Sequence, residues 1–281
     1  MFQPAIPLGG YAGFKVFERT AARQQDAFAE QASVRRDLAH FRERIGDIAK
    51  PADLVADRRL LAVALGAFGL EDEIGKRALI RRIADEGVLD PASFANRLND
   101  PRWRAFAAAF SAESLALGRF QSAASREDIA ARFIERSFER AVGEVDGDMR
   151  LALNFRREIK AIAGGANVDR VGWLQIMGQR PLRIVAEAAL GLPSSLASLD
   201  VDRQRAAFEE KSAAVFGTKS PQAFLDDANV ETSIRRYFAR ASAQAGASAD
   251  TRGQAALSLL GGSALGAGAQ IGLIISNASA R

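Results

Sequence analysis

Apolar residues recur at helical spacing through most of the chain, and nowhere do they alternate with polar ones long enough to predict a strand. From Ala12 to Ile45 no proline interrupts, and Val34, Leu38, Phe41 and Ile45 continue a stripe begun by Phe14, Phe17 and Phe28. That stretch predicts one long or once-broken amphipathic helix, ended by Gly46 and Pro51. Asp53 is placed to cap a helix carrying Leu54, Leu61, Ala64, Leu65 and Phe68, with Gly69 as its terminator. A helix from Glu73 to Glu86 follows, closed by Gly87. Asp90-Pro91 and Asp100-Pro101 each join a good N-cap to a proline at the first helical position, so two short helices begin there. Ser125 with Asp128 has the spacing of a capping box, opening a helix through Ile129, Phe133, Ile134 and Phe138. Further helices are expected from about Asp148 to Ile162, around Trp173, from Pro181 to Leu190 and after Asp200.

The pattern repeats. Leu60 to Leu70 is echoed by Leu182 to Leu192, each an apolar helical stretch closed by Gly-Leu. Pro91-Ala92-Ser93-Phe94 returns as Pro221-Gln222-Ala223-Phe224, and the segment Trp103 to Ala108 returns as Ile234 to Ala239. Two degenerate copies, about residues 53–112 and 181–243, indicate an old duplication of a helical unit. The expected fold is all-α: a compact multi-helix bundle over residues 11–244, followed by a flexible Gly/Ala-rich tail.

Both ends differ from this body. Residues 1–10 contain Pro4, Pro7, Gly9 and Gly10 and predict a flexible arm without the basic region and apolar run of a Sec signal. The tail, residues 245–281, carries no charge between Arg252 and Arg281. Gly262 with Gly266, and Gly268 with Gly272, have the spacing that lets helices approach closely in a membrane. The glycines, serines and Gln270 make a poor membrane span, so a disordered tail or one ordered on assembly is preferred over membrane contact.

Composition narrows the chemistry. Cysteine is absent and His40 is the only histidine, which removes thiol nucleophiles, disulfides and zinc sites built on Cys or His. Lys and Arg total 38 against 34 Asp and Glu, a mild net charge of +4. Arg58, Arg59, Lys76, Arg77, Arg81 and Arg82 alternate with acids, the pattern of a solvated helix face and not of a nucleic-acid surface. Gly266-Ala267-Gly268 with Gly272 lacks both the spacing and the preceding strand of a dinucleotide loop. Glu71-Asp72-Glu73 is the densest acidic run and the one candidate for carboxylate or cation chemistry, although acids at a helix start also oppose its dipole. Trp103, Phe106 and Phe110, with Phe94, are expected in the core, and His40 is expected to be partly packed or solvated and not catalytic or a ligand. No catalytic residue, metal ligand or cofactor is predicted.

Several separate blocks carry a resemblance. Asp57-Arg58-Arg59-Leu60-Leu61, Ala67-Phe68-Gly69-Leu70, Asn96-Arg97-Leu98-Asn99-Asp100, Val142-Gly143, Met149-Arg150-Leu151-Ala152-Leu153-Asn154-Phe155, Met177-Gly178, Leu182-Arg183 and Gly191-Leu192-Pro193 stand in order along the chain. Over residues 10–243 the sequence resembles an alphaproteobacterial domain of unknown function whose genes commonly lie among flagellar genes. The resemblance brings no catalytic residues. It implies a non-enzymatic structural or interaction protein at the flagellum, as component, assembly factor or exported protein, found in the cytoplasm or with the flagellum. A protein partner is then expected, with a surface from Phe14, Phe17 and Phe28 on the first helix and Leu257, Leu260, Ile271 and Ile274 in the tail. The competing reading of that first helix is a stripe packed on its own core. The competing functions are an enzyme using the carboxylates at Glu71 to Glu73 and a weakly basic helical nucleic-acid binder.

Overall fold

The interruption at Glu30-Gln31 splits the first predicted helix into α1 (Gly10–Ala29) and α2 (Ala32–Arg44). The computed structural model of the chain describes residues 2–98 and 100–246. Asp57 takes extended backbone between α3 (Pro51–Ala56) and α4 (Arg58–Gly66), so the helix expected from Asp53 to Phe68 is two. At the break the Asp57 carboxylate accepts the Arg59 and Leu60 N–H groups at 3.0 and 3.1 Å and caps α4, while Asp53 lies within the first turn of α3. Glu71–Glu73 forms a separate 3-10 turn, and α5 begins only at Arg77 (Arg77–Glu86). Next come α6 (Phe94–Arg97), α7 (Pro101–Phe110) and α8 (Ala112–Ala116). The long α9 (Ala123–Val145) opens two residues before Ser125, so no capping box forms; Asp128 lies inside the helix and pairs with Arg132. It is followed by α10 (Gly147–Ala163), α11 (Val168–Gly178), α12 (Arg180–Leu190), α13 (Val201–Phe216) and a last helix, α14, over residues 227–246. No strand occurs among the described residues.

One residue makes the central turn. Asp146 ends α9, its N–H bonded to the Val142 carbonyl, and caps α10, its carboxylate accepting the Asp148 and Met149 N–H groups. The result is a tight antiparallel hairpin. Its buried positions are Ile129, Phe138 and Val142 on α9, and Met149, Ala152, Phe155 and Ile159 on α10. From the first half α1, α2 and α4 pack on α9, and from the second half α11 and α12 pack on α10. Gly66 brings α4 against α9 closely enough that a Cβ there would lie 2.7 Å from the Phe133 ring.

The two echoed stretches share local features. Each has a helix, a positive-φ glycine, a 3-10 turn, a helix, a second positive-φ glycine and a proline-led turn, with Gly69 and Gly87 in the first and Gly191 and Gly217 in the second, and the first adds the short α6. Both Gly-Leu corners are Schellman turns: Leu70 N–H bonds Leu65 O at 2.9 Å, and Leu192 N–H bonds Glu187 O at 2.8 Å. In both, an arginine of the half's last helix donates to a corner carbonyl, Arg102 to Gly69 and Arg240 to Leu192. The third echo also keeps its burial pattern. Trp103, Phe106 and Ala107 are buried, as are Ile234, Tyr237 and Phe238, while Arg104, Ala105 and Ala108 are exposed like Arg235, Arg236 and Ala239.

The N-terminal arm, expected to be free, is docked. Phe2 packs edge-on to Phe28, the Ala5 amide exchanges hydrogen bonds with the Gln24 side chain, and Pro4 is buried. At Gly13 a Cβ would fall 1.8 Å from the Leu8 carbonyl oxygen, so the arm folds back where α1 has no side chain. The predicted surface on α1 is corrected accordingly: Phe14 and Phe17 are 0% exposed and Phe28 is 8% exposed. Phe17 and Phe28 meet Phe138 of α9, and Phe14 meets Phe238 of α14. The residues named in the tail, Leu257, Leu260, Ile271 and Ile274, lie outside the described residues, as does the proposed mobility of the tail itself. No helix among the described residues is long and apolar enough to cross a membrane.

Three substitutions separate close approach from backbone conformation. In an exposed helix interior Gly→Ala gains roughly 0.5–1 kcal/mol, whereas G13A is expected to lower stability and to speed proteolysis of residues 2–8. G191A meets no neighbouring atom and is expected to cost about 1–2 kcal/mol from left-handed backbone alone. G69A, where a Cβ would sit 3.0 Å from Arg136, is expected to cost more in the same denaturation experiment.

Candidate functional site

Helical spacing sets a charged ladder along the central hairpin. Glu135 and Glu139 lie four residues apart on α9, beside Arg136, and face Arg157 and Glu158 of α10. Arg157 bonds Glu139 through both prongs, each at 2.8 Å, and also pairs with Glu158; Arg136 reaches Glu158 at 2.7 Å. With Gln25 of α1, Asp128 and Arg132, these groups line a cleft of about 540 Å³. Burial alone would lower the Arg157 pKa, but its carboxylate neighbours hold it above its usual value. Burial, reinforced by Arg157, lowers that of Arg136. Glu135 is the odd member. Burial raises its carboxyl pKa, Arg157 at 4.0 Å lowers it, and Glu139 and Glu158 raise it further. The other charges of the cleft neutralise one another and bind the hairpin together.

A second network ties the ends of the chain. Glu231 on α14 accepts from the Tyr11 hydroxyl at 2.5 Å, Lys15 at 3.0 Å and Arg156 at 2.6 Å, and Arg156 also pairs with Glu18. Thus α1, α10 and α14 share one ionic knot. The acidic run does not converge: Glu71 and Asp72 pair with Arg140, and Glu73 pairs with Lys76. Among the described residues no group of three or more His, Asp or Glu is arranged to hold a metal ion. His40 is half-buried and lies 2.7 Å from the carboxylate of Asp57 that caps α4. Of the six basic residues noted in sequence, Arg59, Lys76, Arg81 and Arg82 pair with acids. Trp103, Phe106 and Phe110 are buried as expected, and Phe94 is half-buried beneath the Arg82 guanidinium.

A feature not foreseen in sequence lies at the far side of the first half. The loop after α5 and the short α8 enclose a groove of about 250 Å³, lined by Asp85, Glu86, Val88, Leu89, Glu113 and Leu117 among others. Leu117 and Leu89 are 80% and 75% exposed, the highest values among the large apolar side chains. Each stands beside a turn glycine or proline, in Gly87-Val88-Leu89-Asp90-Pro91 and in Leu117-Gly118. A large apolar residue among turn residues was the available signal.

The family described as "Protein of unknown function (DUF1217)" matches residues 67–224, more than half of the chain. The chain belongs to that family. The DUF1217 match is shorter than the resemblance over residues 10–243, yet it contains the whole α9–α10 hairpin, the groove and the second Gly-Leu corner. The chain is similar to the crystal structure of protein AGR_C_984 from Agrobacterium tumefaciens. The two are 25% identical, with a TM-score of 0.63, over 84% of this chain and 96% of that one. No curated protein matches the DUF1217 chain.

Glu135 gives the cleft a pH signature. Its folded-state pKa lies above the unfolded value, so its ionisation costs stability that is absent at low pH and appears as pH rises through the folded value. E135Q is therefore expected to raise the unfolding midpoint at pH 7 and to leave it unchanged near about pH 4. Asp57, Glu127 and Glu231 have lowered pKa values and act in the opposite sense: their contribution is present above the unfolded value and lost as pH falls. Urea melts of both proteins at the two pH values separate these effects.

Proposed function

We propose that this DUF1217 protein is a non-enzymatic structural or interaction protein of the flagellum, acting by binding a protein partner. The observation that carries the interaction reading is the groove of Leu89 and Leu117, where two large apolar side chains stand in solvent together. Scattered single apolar residues are ordinary on a surface; two sharing one concave site favour a contact. The reading is further supported by how the charged side chains are used. In the cleft and in the α1–α10–α14 knot, Glu139, Glu158, Glu18 and Glu231 are each matched to an arginine of another helix, which serves a rigid body presenting a surface. The flagellar part rests on the sequence resemblance and its gene neighbourhood, an associational warrant.

The test is the distribution of the native full-length protein among cytoplasm, membrane, purified flagellar bodies and culture medium. Recovery with flagellar bodies or in the medium, lost when flagellar export is disabled, is the expected result. Confinement to the cytoplasm with no flagellar material bound would overturn the flagellar reading.

A further inference from the structure

We propose that the groove between the end of α5, the loop through Leu89 and α8 is the docking site for a basic amphipathic helix of a protein partner. The inference rests on the interaction reading above and adds the place of contact and the chemistry of what binds there.

Shape sets the first limit. A groove of about 250 Å³ is smaller than the usual pocket for a cofactor or drug-sized molecule, and suits one or two anchoring side chains. Leu89 and Leu117 flank it and Val88 and Ala108 also line it, so the anchors are apolar. Charge sets the second limit. The ionisable lining residues are Asp85, Glu86 and Glu113, with no lysine or arginine among them. Asp85 and Glu86 are each balanced by an arginine one turn earlier, Arg81 and Arg82, but the exposed Glu113 has no ion-pair partner among the described residues. Helices α5 and α7 end at the groove with the negative ends of their dipoles, while the short α8 begins there with Glu113 in its first turn. The site therefore favours positive charge beside apolar anchors.

The form of the partner follows from what the groove must receive. The described residues hold no sheet edge to which an extended peptide could add a strand, and an amphipathic helix presents apolar anchors and positive charge from separate faces of one element. The chain's own segment between Arg252 and Arg281 has no charge to match the acidic rim.

The probe is a synthetic amphipathic peptide with one leucine face and one lysine face, against a counterpart with glutamate for lysine. Both are titrated into the full-length protein while the Leu89 and Leu117 methyl signals are followed by NMR. The lysine peptide is expected to bind, to move both signals, and to weaken as salt is added, whereas the glutamate peptide does not bind. Its affinity is expected to fall at least about tenfold in L89S/L117S and in E113K, two sets of exposed substitutions whose fold is checked by circular dichroism. Equal binding of the two peptides, or lysine-peptide binding untouched by these variants, would overturn the proposal. So would a change in sedimentation of L89S/L117S, which marks a second copy as the occupant. A chain that binds the peptide only after Leu257, Leu260, Ile271 and Ile274 are replaced by serine would assign the groove to the chain's own tail and overturn it equally. If L89S/L117S loses the peptide yet still copurifies with flagellar bodies, the groove is not the partner's site while the flagellar reading stands.

Discussion

The α9–α10 hairpin is the constraint on which the other helices depend. A single residue, Asp146, both ends one helix and caps the next, leaving no slack in their relative position. Gly143 adds to this by admitting the Arg150 side chain, whose Cδ would lie 2.3 Å from any Cβ there. Once the two helices are locked, their buried positions offer two apolar faces, and each face collects one half of the chain. The bidentate Arg157–Glu139 pair sits beside this seam. Removing one partner of so enclosed a pair would leave a charge without a counterpart, which makes the hairpin's alignment specific as well as stable.

On either side of the hairpin the two halves solve one packing problem by the same means. Each must end an apolar helix and turn the chain back within a few residues, and each uses a Gly-Leu Schellman corner with an arginine on its carbonyls. The halves differ in what surrounds the corner. Gly69 lies under Arg136 and Arg102, whereas Gly191 has open space around it, so the first copy is built into the central cleft and the second faces outward. The second copy's intervening helix, α13, is correspondingly longer than α5.

Electrostatics and apolar burial divide the surface between them. In the cleft and in the knot of Tyr11, Lys15, Glu18, Arg156 and Glu231, opposite charges within and between helices satisfy one another, which suits cohesion better than recognition of a charged ligand. The Leu89–Leu117 groove differs. Apolar side chains stand in solvent in a groove lined by three acids and no base, and nothing in the described fold covers them. Protein association is favoured where apolar area can be removed from water with its charges matched, and among the features described the groove meets that condition best.

Local sequence determined a large part of this protein. The helical class, the glycine corners at Gly69 and Gly191 and the caps at Asp100 and Asp200 follow from spacing and backbone preference, which act over a turn or two of chain. One local signal was misjudged: Asp57, extended between α3 and α4, caps the second helix, while Asp53 lies in the first turn of α3. Tertiary structure decided what covers each apolar stripe. Phe14, Phe17 and Phe28 have the period of an interaction face and of a core face alike, and only the arrival of α9 and α14 makes them core. Leu89 and Leu117 have no period at all, and their exposure emerges from how α5, α7 and α8 end against one another. Periodicity specifies that a side of a helix must leave water; the partner that removes it is set by contacts far apart in the chain, which no local pattern encodes.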